Sequence, residues 1–337
     1  MRLASATTHW SAVKAITIQA SRTIILVSIP RETCGSARQS RAVPHVKVVM
    51  KRTQSVFEEI FRRGSRTFFN SSLFFPAKVR RDVIILYAFV RTADDFVDSV
   101  PQDKEGFHAF RARYELARTT GRDSGDPIVD SFIELSRRRK FEDAWAEAFL
   151  NSMEADLTGK RYEAPDEVLV YIHGSAEVIG FFMAAIMELP RNAMEAAAFL
   201  GRAMQYINFI RDIAEDNELG RTYLPLAGSG LEDLAEDTAR SKPETFTRFI
   251  RSQIHLYREW QDRAETEFGS IPWRSRVAVM TASEMYKWAA TKIYRNPFIV
   301  YEKKVKPSRQ RILFSLLRNA SRAHRCRRPE APDQEPA

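Results

Sequence analysis

From residue 54 onward, apolar side chains recur at three- and four-residue spacing in long blocks. This is the pattern of amphipathic helices laid against a shared core. One block runs from Ala77 to Val100 through Val79, Val83, Leu86, Tyr87 and Val90, with Pro76 placed for its first turn. Asp126-Pro127 offers a cap and a first-turn proline for a helix through Ile128, Phe132 and Leu135. Pro165 opens a helix reaching Leu189, and Asn192 to Leu219 continues the pattern to a stop at Gly220. Pro243 starts a block through Phe246, Phe249, Ile250 and Ile254, and Pro272 starts another that ends before Pro297. Short turns join the blocks, the punctuation of an all-β fold is missing and no fixed-period repeat appears. The expectation is one all-α helical bundle over residues 50–320.

The two ends have a different character. Arg2, Lys14, Arg22 and Arg31 precede the first acid, Glu32, among many Ser and Thr, a composition that resembles a transit peptide. Residues 1–49 read either as such a segment or as sequence upstream of a working start at Met50. From Lys303 to Arg328 there are ten Lys and Arg and no acid, so much of the formal excess of +9 sits at this end. Residues 321–337 are expected to be a basic, disordered tail. It reads as a solvated segment or as a peripheral contact for an anionic membrane. Without interleaved aromatics, nucleic-acid binding is not expected. Val168 to Leu189 is the best candidate for a membrane span, yet it contains His173, Glu177 and Glu188 and is better explained as a buried helix. Cys34 and Cys326 lie near opposite ends, so neither a thiolate metal site nor a disulfide framework is expected, and a reducing, cytoplasmic location fits.

Two polar stripes carry the chemistry. In Arg91-Thr-Ala-Asp94-Asp95-Phe-Val-Asp98, the outer aspartates are one helical turn apart on one face. Like charges there repel unless a cation intervenes. Mg²⁺ takes one or two carboxylates, keeps waters and accepts phosphate oxygens. In Gln205-Tyr-Ile-Asn208-Phe-Ile-Arg211-Asp212-Ile-Ala-Glu215-Asp216, residues 208, 212 and 216 form a second ladder of oxygens, which Gln205 joins. Ile207, Phe209, Ile210 and Ile213 tie that helix to a core. Either string alone is common; the pair suggests facing walls of one site. Arg91 and Arg211 read as diphosphate clamps or as ion-pair partners, Arg91 with Asp95 and Arg211 with Glu215. Gly174 and Gly180 cost about 1 kcal/mol each within a helix. They make room either for a long apolar ligand or for a close helix crossing.

Ser65-Arg66-Thr67-Phe68, Leu86-Tyr87-Ala-Phe-Val-Arg91-Thr-Ala-Asp94-Asp95-Phe-Val-Asp98 and Asn208-Phe-Ile-Arg211-Asp212-Ile-Ala-Glu215-Asp216, followed by Gly220-Arg-Thr-Tyr223-Leu-Pro225, together resemble the phytoene/squalene synthase family of head-to-head prenyl synthases. The resemblance implies an isoprenoid-synthase bundle around a central cavity that condenses two identical prenyl diphosphates through a cyclopropyl intermediate. By motif it implies metal ligation by Asp94, Asp98, Asn208, Asp212 and Asp216, with Mg²⁺ as cofactor or Mn²⁺ in its place. Tyr87 and Arg91 join the four aspartates as catalytic residues, and Arg66, Tyr171, Gln205, Asn208, Arg211 and Tyr223 take substrate-binding positions. Tyr286 and Lys303 align more loosely with a late tyrosine and a basic residue.

Glu177 departs from the family pattern, which leaves the tail-binding surface open. A basic C-terminal segment replaces the membrane anchor of eukaryotic squalene synthases, so the expectation is the prokaryotic type making phytoene from geranylgeranyl diphosphate. The alternatives are squalene or dehydrosqualene from farnesyl diphosphate, with NADPH for squalene alone, and a non-catalytic relative. Chain length of the substrate, product stereochemistry and oligomeric state are not legible.

Overall fold

The computed structural model describes residues 55–158, 162 and 164–325, and the side chains of Arg66 and Thr67 lie outside the described residues. So do residues 1–49, Cys34, Cys326 and the end of the basic tail. No strand occurs among the described residues. A helix at 55–64, α1, is followed by α2 (Arg66–Ser72), α3 (Ala77–Asp98), α4 (Lys104–Thr120), α5 (Pro127–Arg139) and α6 (Asp143–Asp156). Helix α7 begins as Pro165–Ile172, passes through a π-helical turn at His173–Glu177 and ends as Val178–Ile186. Then come α8 (Met194–Arg211), α9 (Ile213–Glu218), α10 (Glu236–Ser241), α11 (Pro243–Glu265), α12 (Trp273–Arg295), α13 (Ile299–Glu302) and α14 (Arg309–Arg325).

Local chemistry sets the helix starts. Asp126 accepts from the amides of Ile128 and Val129 while Pro127 occupies the first turn of α5. Asp103 caps α4 through Gly106 at 2.9 Å, and Ser65 caps α2 through Phe68. Pro165 and Pro243 open α7 and α11 as expected. The 192–219 block is broken: Asp212, at φ −101° and ψ 16°, separates α8 from α9. Its amide still donates to Asn208 at 2.8 Å and its carbonyl accepts from the Asp216 amide at 2.9 Å, so the 208/212/216 course survives the kink. Gly220 then turns the chain with φ +69°.

Two apolar clusters hold the bundle. In one, Phe89 of α3 is fully buried and stacks on Phe132 of α5 at 3.8 Å, with Phe110, Phe149 and Phe182 around it. The other gathers Ile207 and Ile210 of α8, Ile250, Ile254 and Tyr257 of α11, and Ile293 of α12. Helix α8 is the central post, contacting α7, α11 and α12.

The α7 segment Pro165–Ile186 is long and apolar enough to cross a membrane, but half of its strongest window is buried and it packs between α6 and α8. Its glycines explain why. A Cβ at Gly180 would fall far inside contact distance of the Ala197 carbonyl, and one at Gly174 would strike Ser152 and the Ala148 carbonyl. Gly201 of α8 answers them against the Ala176 carbonyl. Both glycines of α7 therefore serve close helix crossings, although Gly180 also borders the cavity described below.

Candidate active site

Helix α3 presents Tyr87, Arg91, Asp94 and Asp98 along successive turns of one face. Arg91 reaches Asp94 Oδ2 and Asp95 Oδ1, each at 2.5 Å. On α8 and α9, Arg211 grips its neighbour Asp212 with two bonds, Nε to Oδ1 at 2.8 Å and Nη2 to Oδ2 at 2.5 Å. The expected Arg211–Glu215 pair does not form, because the kink at Asp212 turns that carboxylate onto the guanidinium. Glu215 pairs instead with Lys304, whose Nζ is also 3.7 Å from Asp212 Oδ1. The late basic residue at the site is thus Lys304, one position beyond Lys303.

The two stripes face each other, and Arg221 joins them. Its Nη1 donates to Asp98 Oδ1 at 2.8 Å and its Nη2 to the Val97 carbonyl at 2.6 Å, while its amide donates to the Asp216 carbonyl at 2.8 Å. Beneath this bridge lies Asp156, at the end of α6. Asp156 Oδ2 accepts from the Tyr171 hydroxyl at 2.7 Å and Oδ1 from the Tyr223 hydroxyl at 2.9 Å. Tyr223 stacks on Phe209 at 4.4 Å. Tyr171 and Tyr223 are thus brought to the carboxylate cluster, but they support it from below and do not line the cavity.

That cavity, of about 340 Å³, lies between α2, α3, α7, α8 and α12. Phe61, Leu86, Ile179, Met183, Leu200 and Met204 give it an apolar body, and Tyr87, Gln205, Asn208 and Tyr286 are among its polar lining. Glu177 is not part of its wall; it turns to Arg202 at 2.5 Å and His173 at 3.0 Å, leaving Ser175 and Ala176 to the cavity.

The electrostatics are those of a site short of positive charge. Burial and the charge of Asp98 push Asp94 up to about 7, and burial with the charge of Asp212 pushes Asp216 up to about 8. Asp94 nevertheless keeps 32% of its side chain open, so it is reachable from the cleft. The buried Asn208 Oδ1 has no hydrogen-bond partner, an orphan acceptor that should have a ligand. Among the described residues no three His, Cys, Asp or Glu converge to hold an ion unaided. A hard cation that shares itself between one or two carboxylates and phosphate oxygens meets both conditions, so the residues fit Mg²⁺ or Mn²⁺.

Arg221 and Asp156 were not singled out by sequence. Arg221 stood inside the Gly220-Arg-Thr-Tyr223 string, which was a usable signal; Asp156 had none, being one acid near a helix end.

Comparison with known proteins agrees with this geometry. A family model described as squalene/phytoene synthase matches residues 61–312. A 15-cis-phytoene synthase from Enterobacter agglomerans is 31% identical over 245 residues, which cover 68% of this chain and 82% of that protein. A phytoene synthase from Cereibacter sphaeroides is 28% identical, with 79% and 78% covered. Among solved structures, a dehydrosqualene synthase superposes with a TM-score of 0.72 at 21% identity, covering 82% of this chain and 99% of its own. A squalene synthase from Alicyclobacillus acidocaldarius gives 0.66 at 20% identity, with 74% and 96% covered. These last two share the fold. The chain belongs to the squalene/phytoene synthase family and is an all-α prenyltransferase.

Proposed function

We propose that the chain condenses two geranylgeranyl diphosphates head to head, through a cyclopropyl (prephytoene) diphosphate, to phytoene, with release of diphosphate. The observation that carries this reading is an apolar cavity adjoining two facing carboxylate walls. Mg²⁺, or Mn²⁺ in its place, held by Asp94 and Asp98 on one wall and by Asn208, Asp212 and Asp216 on the other, supplies Lewis-acid stabilisation of the departing diphosphate.

The chain's own groups do the rest. Arg91 and Arg211 are parked on Asp94, Asp95 and Asp212, and exchange those partners for diphosphate oxygens when substrate and cation arrive. By the family motif, Arg66 is assigned to the same diphosphate. Gln205 and Asn208 orient the diphosphate end at the cavity, beside the Tyr87 hydroxyl. Arg221 holds Asp98 through one carboxylate oxygen and so orients a side chain that would help hold the cation. Tyr171 and Tyr223, fixed by Asp156, keep the floor under the carboxylates rigid. The apolar body excludes water from carbocations that water would quench. The protein is read as cytoplasmic, touching membranes peripherally through its basic C-terminal segment.

Incubating purified protein and Mg²⁺ with the C15 and the C20 diphosphate separately, with and without NADPH, tests the reading. A C40 hydrocarbon from the C20 substrate without NADPH is expected. C30 product alone overturns it in favour of squalene or dehydrosqualene synthesis. No product, together with full cellular function after Asp94→Ala and Asp212→Ala, points to a non-catalytic relative.

A further inference from the structure

We infer that the outward edge of α14 is a docking surface for an anionic lipid bilayer. This deepens the peripheral-membrane reading above and rests on it. The inner face of α14 is fully used. Ile312 and Leu316 are buried against Val277 and Met285 of α12, Ser315 donates to Glu284, and Asn319 Nδ2 donates to Thr281 Oγ1 at 3.3 Å. The outer edge is also apolar: Leu313, Phe314 and Leu317 are 57%, 67% and 65% exposed. Their spacing places all three on one strip of the helix. A single exposed leucine needs no explanation, whereas three large side chains on adjoining turns of one helix do.

The charge around the strip decides what covers it. Arg318 and Arg322 run along one border, anchored to Glu284 at 2.7 Å and 3.5 Å, and Arg311 lies over the Trp288 ring at 5.1 Å. From Lys303 to Arg328 the segment has ten Lys and Arg and no acid. A second copy of the same edge would bring like charges together, while an anionic lipid surface meets both the apolar strip and its basic border. Position adds a reason for the contact. The opposite face of α12 lines the cavity through Ala278, Val279 and Ala282. Phe74 packs against the α14 contact and its neighbour Phe75 lines the cavity. Docking through α14 therefore sets the cavity one helix away from the lipid into which an apolar product would pass.

The test is co-sedimentation of the full chain with phosphatidylcholine vesicles, with and without an equal share of phosphatidylglycerol. The wild type is expected to bind the anionic vesicles at least tenfold more strongly and to lose that preference in high salt. The triple variant Leu313→Ser, Phe314→Ser, Leu317→Ser is expected to bind roughly 100-fold more weakly, about fivefold for each exposed side chain that would be partly covered by lipid on docking. Its melting temperature and its turnover of detergent-dispersed substrate should be unchanged, because none of the three touches the site. Undiminished binding by the variant overturns the assignment of this edge while leaving membrane contact elsewhere. Equal binding of neutral and anionic vesicles overturns the role of charge. No vesicle binding by an active wild type overturns the membrane reading and leaves the condensation reading standing. Self-association of the wild type that the triple variant abolishes makes a second copy the occupant and overturns the proposal.

Discussion

Asp156 is a buried carboxylate, 6% exposed, whose two oxygens are each taken by a tyrosine hydroxyl. Burial pushes it up to about 6 despite those bonds and the nearby Arg221. An unfolded aspartate titrates near about 3.9. The folded state therefore holds this proton more tightly, so the group's contribution to stability is full below about pH 4, falls as pH rises toward 6, and is flat above that. With about 1.36 kcal/mol per pKa unit, the ionised group costs about 3 kcal/mol at pH 7.5 but only about 1 kcal/mol at pH 4.5. Asp156→Asn removes the charge, keeps the shape and sacrifices one tyrosine hydrogen bond, worth about 1 kcal/mol at any pH. Urea denaturation of both proteins without Mg²⁺ or substrate, at pH 4.5 and 7.5, isolates the effect in the difference between them. That difference should move by about 2 kcal/mol in favour of the variant as pH rises. Asp94 and Asp216, which feel the Asp156 charge, ionise more easily in the variant and shift the result in the same direction. A pH-independent difference would refute the claim that a charge is buried there.

Three further outcomes follow from the site. Because Asp94 and Asp216 sit near about 7 and 8, binding of Mg²⁺ with pyrophosphate at pH 7 should expel about one proton and tighten as pH rises toward 8; calorimetry in two buffers of different ionisation enthalpy reads the proton, and none released means the pair is already ionised. Asp216→Asn should lower turnover at least about 100-fold with the fold intact, since on the proposed reading it removes a carboxylate that would hold the cation stabilising the departing diphosphate; retention of half the activity, measured as hydrocarbon formed, excludes it from the metal wall. Gly180→Ala should cost about 1–3 kcal/mol by forcing α7 off α8 at the Ala197 carbonyl, visible as a lower melting temperature, and an unchanged melt would mean the crossing relaxes freely.

How much of this was legible in sequence depends on whether an interaction is local. The helix starts at Asp126-Pro127, Pro165 and Pro243 follow from chemistry within one turn, and the structure has them there. The two oxygen ladders are likewise local in sequence, and the second survives the break at Asp212 because the backbone hydrogen bonds of Asp212 to Asn208 and Asp216 persist. What the kink changed was a partner choice: Arg211 took the adjacent carboxylate over the one at i+4, freeing Glu215 for Lys304, 89 residues away. The Arg221–Asp98 bond spans 123 residues and the Tyr223–Asp156 bond 67; no periodicity encodes such contacts, which exist only once α3, α6 and α9 have been packed. The alternatives left open at the α7 glycines have the same cause. Room for a ligand and room for a helix require the same missing Cβ, and only the position of Ala197 on the facing helix distinguishes them. Sequence thus reports the two polar stripes, because each is assembled from residues within a few turns of one another, but not the residues that hold the two walls together. Substitutions at Asp156 and Arg221 are therefore the ones that most directly test the assembled site.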